Sequence, residues 1–199
     1  MFVGEKKYLV LLLALGVLTR MVGLSHPGQV IFDEVHFGKF VNSYCCTGEH
    51  FFDIHPPHAK LLVAGAAHLA GYDGSQSFEN IGESFGPTVP VAALRLVPAL
   101  AGALLPLVLF LLLRQLGASP PLAFFGGWLA VFDNALVTQS RLISLDSVLL
   151  LATFGSLSAY LQGSKQLAAG SKPWLWFVLA GALAGLAVGT KLTGLAALG

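Results

Sequence analysis

Five stretches of the chain carry no charged residue: 8–19, 96–113, 115–132, 147–164 and 173–190. With their apolar flanks most of them approach the roughly 17–25 residues that cross the hydrocarbon core of a bilayer. The pattern predicts about five transmembrane helices, over 8–24, 89–113, 120–135, 145–162 and 173–190. Between the first two lies a long polar segment, 25–88, broken by His26-Pro27-Gly28, Pro56-Pro57, Tyr72-Asp73-Gly74 and Gly86-Pro87, which mark turns and loop ends. Within it, His58 to Ala70 reads as an amphipathic helix lying on the membrane surface, with Leu61, Leu62, Gly65, Ala66 and Leu69 on one face. The expected fold class is therefore an all-α integral membrane protein with a long outer loop. The connections at 114–120 and 162–172 read as short turns.

Composition strengthens this picture. Hydrophobic residues make up 55% of the 199 and charged residues 11%, against about 25% charged in soluble domains. Lys6 and Lys7 ahead of the first apolar run resemble the start of a signal peptide, but the run continues past Arg20 to Val22 without an A-x-A-like cleavage pattern. An uncleaved helix is the favoured reading. A net charge of +1 gives no signature of a nucleic-acid partner. Cys45 and Cys46 are adjacent, so no disulfide framework can be read from them. The Gly181, Gly185 and Gly189 spacing suggests close helix packing. An odd, open bundle of five helices is expected to pack against further helices, which makes the chain either short for its kind or a fragment.

With Lys6 and Lys7 inside, Arg114, Lys165 and Lys172 fall on the same side, and the remaining basic residues fall outside. Basic residues do not fix the orientation, but of ten Asp and Glu only Glu5 is then inside. The outer face gathers the polar work: Asp33, Glu34, Asp53, His55, His58, Lys60, Arg95, Asp133, Arg141 and Asp146. Arg20, Arg95, Asp146 and Lys191 lie at or inside helix ends, where a deep charge costs about 2.5–3.5 kcal/mol and needs a partner, unless it snorkels to the interface. The acidic pair Asp33-Glu34 is flanked by apolar and aromatic residues that would hold it against the membrane. A carboxylate so placed can act as a general base.

Three segments of the outer loop, Phe32-Asp33-Glu34-Val35-His36-Phe37-Gly38-Lys39, Phe52-Asp53-Ile54-His55-Pro56-Pro57-His58-Ala59-Lys60 and Gly71-Tyr72-Asp73-Gly74, closely resemble the first luminal loop of the protein O-mannosyltransferases. Leu94-Arg95-Leu96-Val97-Pro98, Phe132-Asp133-Asn134 through Gln139-Ser140-Arg141, and Leu145-Asp146-Ser147 agree with that family in order and spacing. The resemblance covers most of 8–195 and implies a GT-C membrane glycosyltransferase, here the N-terminal catalytic part over 1–199, without the family's later helices and MIR domain. His58 departs from the family's pattern.

The resemblance implies transfer of mannose from a polyprenyl (dolichyl) phosphate to Ser or Thr hydroxyls. It makes Asp33 the candidate general base and Glu34 the residue orienting the acceptor, and it gives functional weight to Arg20 and Arg95. Guanidinium groups offer planar bidentate donors for phosphate, so Arg95 and Arg141 are assigned to the donor phosphate with Lys60 and His55 in support. Arg20 would then hold the acidic pair, and Asp53 and Asp146 complete the outer-face set. No D-x-D motif occurs, and two histidines across a proline pair lack the spacing to aim at one ion. The expectation is metal-independent transfer without a cofactor. Expected partners are the lipid-linked donor, the polypeptide acceptor, the bilayer and a homo- or hetero-oligomeric partner, with the active face toward the endoplasmic reticulum lumen or a bacterial exterior. Alternatives are a related GT-C enzyme that moves another sugar, or a non-catalytic or transporter-like subunit. Charges clustered at one face and apolar helix centres disfavour transport.

Overall fold

The computed structural model describes residues 4–198, and among these every regular element is helical. The elements run α1 (Lys6–Met21), α2 (Glu34–Asn42), a π-helical turn (Ser43–Thr47), α3 (His58–Leu69), α4 (Val91–Leu94), α5 (Leu96–Gln115), α6 (Pro120–Phe132), α7 (Asn134–Ser140), α8 (Asp146–Ala168), α9 (Trp174–Val188) and a 3₁₀ turn (Leu192–Leu198).

Local chemistry sets most of the boundaries. α6 starts after Ser119 with Pro120 and Pro121 in its first turn, where a missing N–H costs nothing and the fixed φ is already helical. At its other end Asp133 does two jobs. Its backbone N–H closes α6 on Leu129, and its carboxylate accepts from Leu136 N at 2.8 Å to cap α7. The two helices consequently meet at 58°. The predicted helix 120–135 is thus a bent pair. The predicted helix 89–113 is likewise split, because the chain breaks at Arg95 between α4 and α5. α8 continues to Ala168, so the predicted inner turn at 162–172 is shorter than expected.

Helices α1, α5, α6, α8 and α9 pack side by side, with α5 between α1 and α8. Close approach relies on small residues. A Cβ on Gly16 of α1 would lie 2.6 Å from the Ala103 carbonyl oxygen of α5. The glycine spacing on α9 works differently from expectation. Gly181 and Gly185 face open space, whereas Ala180, Ala184 and Ala187 turn inward, the last two packing in one cluster with Ala152 of α8. Of the described helices, only α5 is by itself long and apolar enough to cross a membrane, at 20 residues and mean hydropathy 2.6. α6 with α7 passes as a bent pair, and α9 is apolar but shorter. The outward faces carry large apolar side chains, including Val10, Leu11 and Leu18 on α1, Leu122, Phe125 and Leu129 on α6, and Leu175, Val178 and Leu179 on α9. So continuous an apolar exterior marks a surface meant for lipid or protein.

The segment 25–88 is a folded cap on one end of this bundle. Val30, Phe37, Val41, Val63, Ala67, Tyr72 and Phe78 from the cap form one core with Leu94, Ala101, Ile143 and Val148 from the helices. α3 exists as predicted, with its leucine face turned outward. Ala59, Lys60, Val63, Ala64 and Ala67 point inward, and Leu61, Leu62 and Leu69 stay exposed. Alanines let α3 approach its neighbours closely, which the bulkier leucines would prevent. Cys45 and Cys46, which gave no readable framework, are bonded to each other within the π-helical turn.

Gly38 on α2 lies directly on the ring of Phe78, which is fully buried. Gly38→Ala has no room for its methyl group, and overpacking of this kind costs about 1–3 kcal/mol. The expected outcome is a lower thermal midpoint of the detergent-solubilised protein, with little change for Gly181→Ala, where the Cβ meets nothing.

Candidate active site

The contacts that join cap to bundle converge on Glu34. Its Oε1 accepts from Arg95 Nε at 2.7 Å and from Ile143 N at 3.0 Å. Its Oε2 accepts from Arg95 Nη2 at 2.9 Å and from Ile31 N at 3.1 Å. The carboxylate is thus fully satisfied, with neither side chain of the pair exposed. Arg95 is equally committed. Its remaining hydrogen bonds run from Nη1 to the Leu24 and Pro27 carbonyls and from Nη2 to that of Gln29, and its guanidinium stacks 5.3 Å from the Phe85 ring centre. Five donors meet five acceptors, so in this conformation the guanidinium has no N–H left to offer a phosphate.

Asp33, one residue earlier, is the opposite case. It sits at the N-cap of α2, is exposed, and its carboxylate makes no hydrogen bond or ion pair among the described residues. The preceding Phe32 holds a left-handed φ of 51° with its ring exposed. A buried, fixed carboxylate next to a free one is a division of labour within a dipeptide. His36, one helical turn further along α2, is also exposed. Sequence reading passed over it, although its spacing of three residues from Asp33 was the available signal.

The other expected site residues fall into separate groups. Arg20 is buried, but its Nη1 and Nη2 donate to the Val131 and Ala130 carbonyls at 2.6 and 2.8 Å, closing the end of α6. It therefore does not hold the acidic pair, and its burial shows that it does not snorkel. Arg141 closes the end of α1, donating to the carbonyls of Thr19, Arg20, Val22 and Gly23 at 2.9–3.1 Å. Only part of its guanidinium is occupied, and the residue is half-buried. Two residues later, Ile143 N binds the Glu34 carboxylate, so the segment after Arg141 joins the same anchor.

Lys60, Asp53 and His55 form a third group. The Lys60 ammonium pairs with Asp53, donates to the His55 carbonyl at 2.7 Å, and lies 5.0 and 5.9 Å from the ring centres of Phe40 and Phe51. Burial pushes the Asp53 carboxyl upward, but the hydrogen bond and charge of Lys60 outweigh it and hold the group below the ordinary carboxylate range. Lys60 is 1% exposed and committed to this cluster. Asp146 pairs with Lys191 at 2.6 Å, tying α8 to the end of α9. His58 packs on Gly189, and its N–H donates to the Gly189 carbonyl at 2.9 Å, so it and His55 serve different neighbours. Among the described residues no group of three or more His, Cys, Asp or Glu is placed to hold a metal ion.

Comparison with known proteins bears on this site. The family model for dolichyl-phosphate-mannose-protein mannosyltransferases matches residues 10–199. The chain is 42% identical over 188 residues to a dolichyl-phosphate-mannose–protein mannosyltransferase 4 of Schizosaccharomyces pombe, covering 93% of this chain and 24% of that protein. It is 41% identical to protein O-mannosyltransferase 1 of Drosophila melanogaster, covering 94% of this chain and 21% of the relative. Among solved structures, the Saccharomyces cerevisiae protein O-mannosyltransferase Pmt1–Pmt2 complex bound to the sugar donor superposes with a TM-score of 0.91 at 34% identity, covering 97% of this chain and 26% of the matched chain. The chain thus spans about a quarter of the length of the proteins it matches.

Removing one partner of a buried ion pair leaves an uncompensated charge and costs about 3–5 kcal/mol. Arg95→Lys keeps the charge but replaces five fixed donors by three mobile ones. Glu34→Ala and Arg95→Ala should each abolish accumulation of folded, detergent-extractable protein, and Arg95→Lys should reduce it. A monodisperse, wild-type yield of Glu34→Ala in size-exclusion chromatography would show that the pair is dispensable for folding.

Proposed function

Because the chain belongs to the dolichyl-phosphate-mannose–protein mannosyltransferase family, we propose that it carries the catalytic end of a membrane enzyme that transfers mannose from a polyprenyl phosphate to Ser or Thr hydroxyls of proteins. The observation that carries this reading is the free, exposed Asp33 held beside the saturated Glu34–Arg95 pair. The apolar exterior and the side-by-side packing of α1, α5, α6, α8 and α9 support a multi-pass GT-C architecture, for which we propose five spans. Its active face opens to the endoplasmic reticulum lumen or a bacterial exterior.

In this mechanism the acceptor hydroxyl oxygen attacks the anomeric carbon of the mannosyl donor. Asp33 accepts the hydroxyl proton, and the bond from the anomeric carbon to the phosphate oxygen breaks with its electron pair on the phosphate. The products are the O-mannosylated protein and the polyprenyl phosphate. Glu34 acts as a positioning residue, since its four acceptor sites are filled and it fixes the backbone on which Asp33 stands. Arg95 belongs to the same anchor. The donor phosphate falls to Arg141, whose guanidinium is only partly taken up by the carbonyls at the end of α1. Lys60 and His55 shape the cap from a distance. A homo- or hetero-oligomeric partner fits the two-subunit assembly of the matched structure.

A positioned base contributes about 10²–10⁴-fold to turnover. In the intact enzyme carrying these residues, Asp33→Asn should lower mannose transfer from a polyprenyl-phosphate donor to a Ser/Thr peptide on that order, with normal membrane insertion. Near wild-type turnover would move the base elsewhere. Charge on the donor is handled here by guanidinium and not by paired carboxylates, so transfer should also survive chelation. Loss of activity in EDTA, restored by a divalent ion, would overturn that part of the mechanism.

A further inference from the structure

The polar side of the cap has a cavity that the mechanism leaves unused. It has a volume of about 420 Å³ and lies between the C-terminal half of α2, the turn after the π-helix and the 74–79 loop. Lys39, Phe40, Glu49, Phe51 and Glu79 line its working surfaces. A second cavity of about 390 Å³, walled by Tyr44, Phe51, Pro56 and Pro57, adjoins it with Phe51 as the shared wall. Together they make a groove that continues away from Asp33.

Two observations set the reach and the occupant of this groove. Asp33 caps the N-terminus of α2, and the polar cavity opens at the other end, from Lys39 to Ser43. At about 1.5 Å per helical residue that is roughly 9–15 Å along the helix, which an extended peptide at about 3.3 Å per residue covers in about three to five residues. The second observation is charge. Across 25–88 acids outnumber bases seven to two. Of the acidic and basic residues that line the polar cavity, Glu49 and Glu79 are acids and Lys39 alone is a lysine or arginine, itself paired with Glu79. Glu49 is exposed and its carboxylate is without a partner among the described residues. Glu79 binds Lys39 through one oxygen at 2.9 Å, and its side chain is 64% exposed. The wall is aromatic and rigid, because Phe51 stacks on Phe40 at 4.6 Å and meets Tyr44 edge-on at 5.2 Å.

We propose that this cavity is an acceptor subsite that takes a lysine or arginine side chain about three to five residues from the hydroxyl being modified. The inference rests on the reading that the enzyme mannosylates Ser or Thr in polypeptides. The aliphatic stem of the basic residue lies along Phe51, and its cationic head reaches Glu49 and the free oxygen of Glu79. Stem on apolar surface with head in a polar rim is how such side chains are accommodated at surfaces. The aromatic face adds an attraction that a glutamate in the same position would lack.

The test uses the intact enzyme, a polyprenyl-phosphate mannose donor, and peptides with one central Thr that carry Lys or Glu three, four or five positions away on either side. One register of Lys peptide should show a KM about three- to tenfold below its Glu counterpart, with kcat little changed. Exposed ion pairs are individually weak, so the preference should shrink when salt is raised well above about 0.1 M, where screening shortens to less than about 10 Å. Glu49→Lys, at an exposed position without a partner, should erase or invert the preference while leaving transfer to a neutral peptide unchanged. Glu79→Gln should weaken it and serves if Glu49→Lys fails to accumulate. Equal KM for Lys and Glu peptides in every register overturns the subsite, as does a preference that survives both variants. Failure to mannosylate any peptide overturns the proposed function itself.

Discussion

The joining of the cap to the bundle depends on one buried ion pair. Glu34 and Arg95 lie in a place with no water to satisfy them, so every donor and acceptor they carry must find a protein partner, and each does. An Arg–Glu pair bound only to each other in such a place is costly, because desolvation outweighs the mutual attraction. Here the surplus hydrogen-bonding capacity is taken up by backbone groups from 24–31 and from Ile143. The pair therefore fixes the path of the chain at several points at once. Asp33 inherits a defined position, although its carboxylate makes no hydrogen bond among the described residues.

The arginines of this end share one habit: each is directed at carbonyl oxygens where a helix or loop stops. Arg20 closes α6, Arg141 closes α1, and Arg95 gathers the loop after α1. A helix C-terminus leaves its last carbonyls unpaired and carries partial negative charge. At the edge of an apolar bundle, water is a poor substitute for a donor, which explains why permanently charged planar side chains stand there. The same planar geometry suits phosphate, which is why sequence reading assigned Arg95 to that role. Composition reveals that guanidinium groups are present, but their partners are set by tertiary contacts more than sixty residues away along the chain.

The cap segment, the helix at His58 and the apolar stretches that the bundle helices occupy were legible in charge-free runs and breakers. Those features follow from local patterning, which a sequence carries openly. The kink at Asp133 and the break at Arg95 were not, because an apolar run looks continuous across a single capping residue. The outward leucine face of α3 was legible in the same way, but its inward face was not. Leucines rank as core residues in soluble proteins, but in this setting the exterior is apolar as well, and close packing selects alanine and a paired lysine for the interior. The acidic pair was recognisable from its flanks and from family resemblance. The unequal duties of its two carboxylates were visible only once Arg95 and Ile143 were in place.

The long sequence separations at Glu34 have a consequence for biosynthesis. Its partners lie 61 and 109 residues downstream, and the link from Arg141 back to Thr19 spans 122. A ribosome reaches Arg95 soon after it finishes the cap, but Arg141 and Ile143 only after α5 and α6. During translation the glutamate thus waits for its last donor until α5, α6 and α7 have been made. Asp33 is therefore given its final setting only once α7 has been made, while α8 and α9 are still to come.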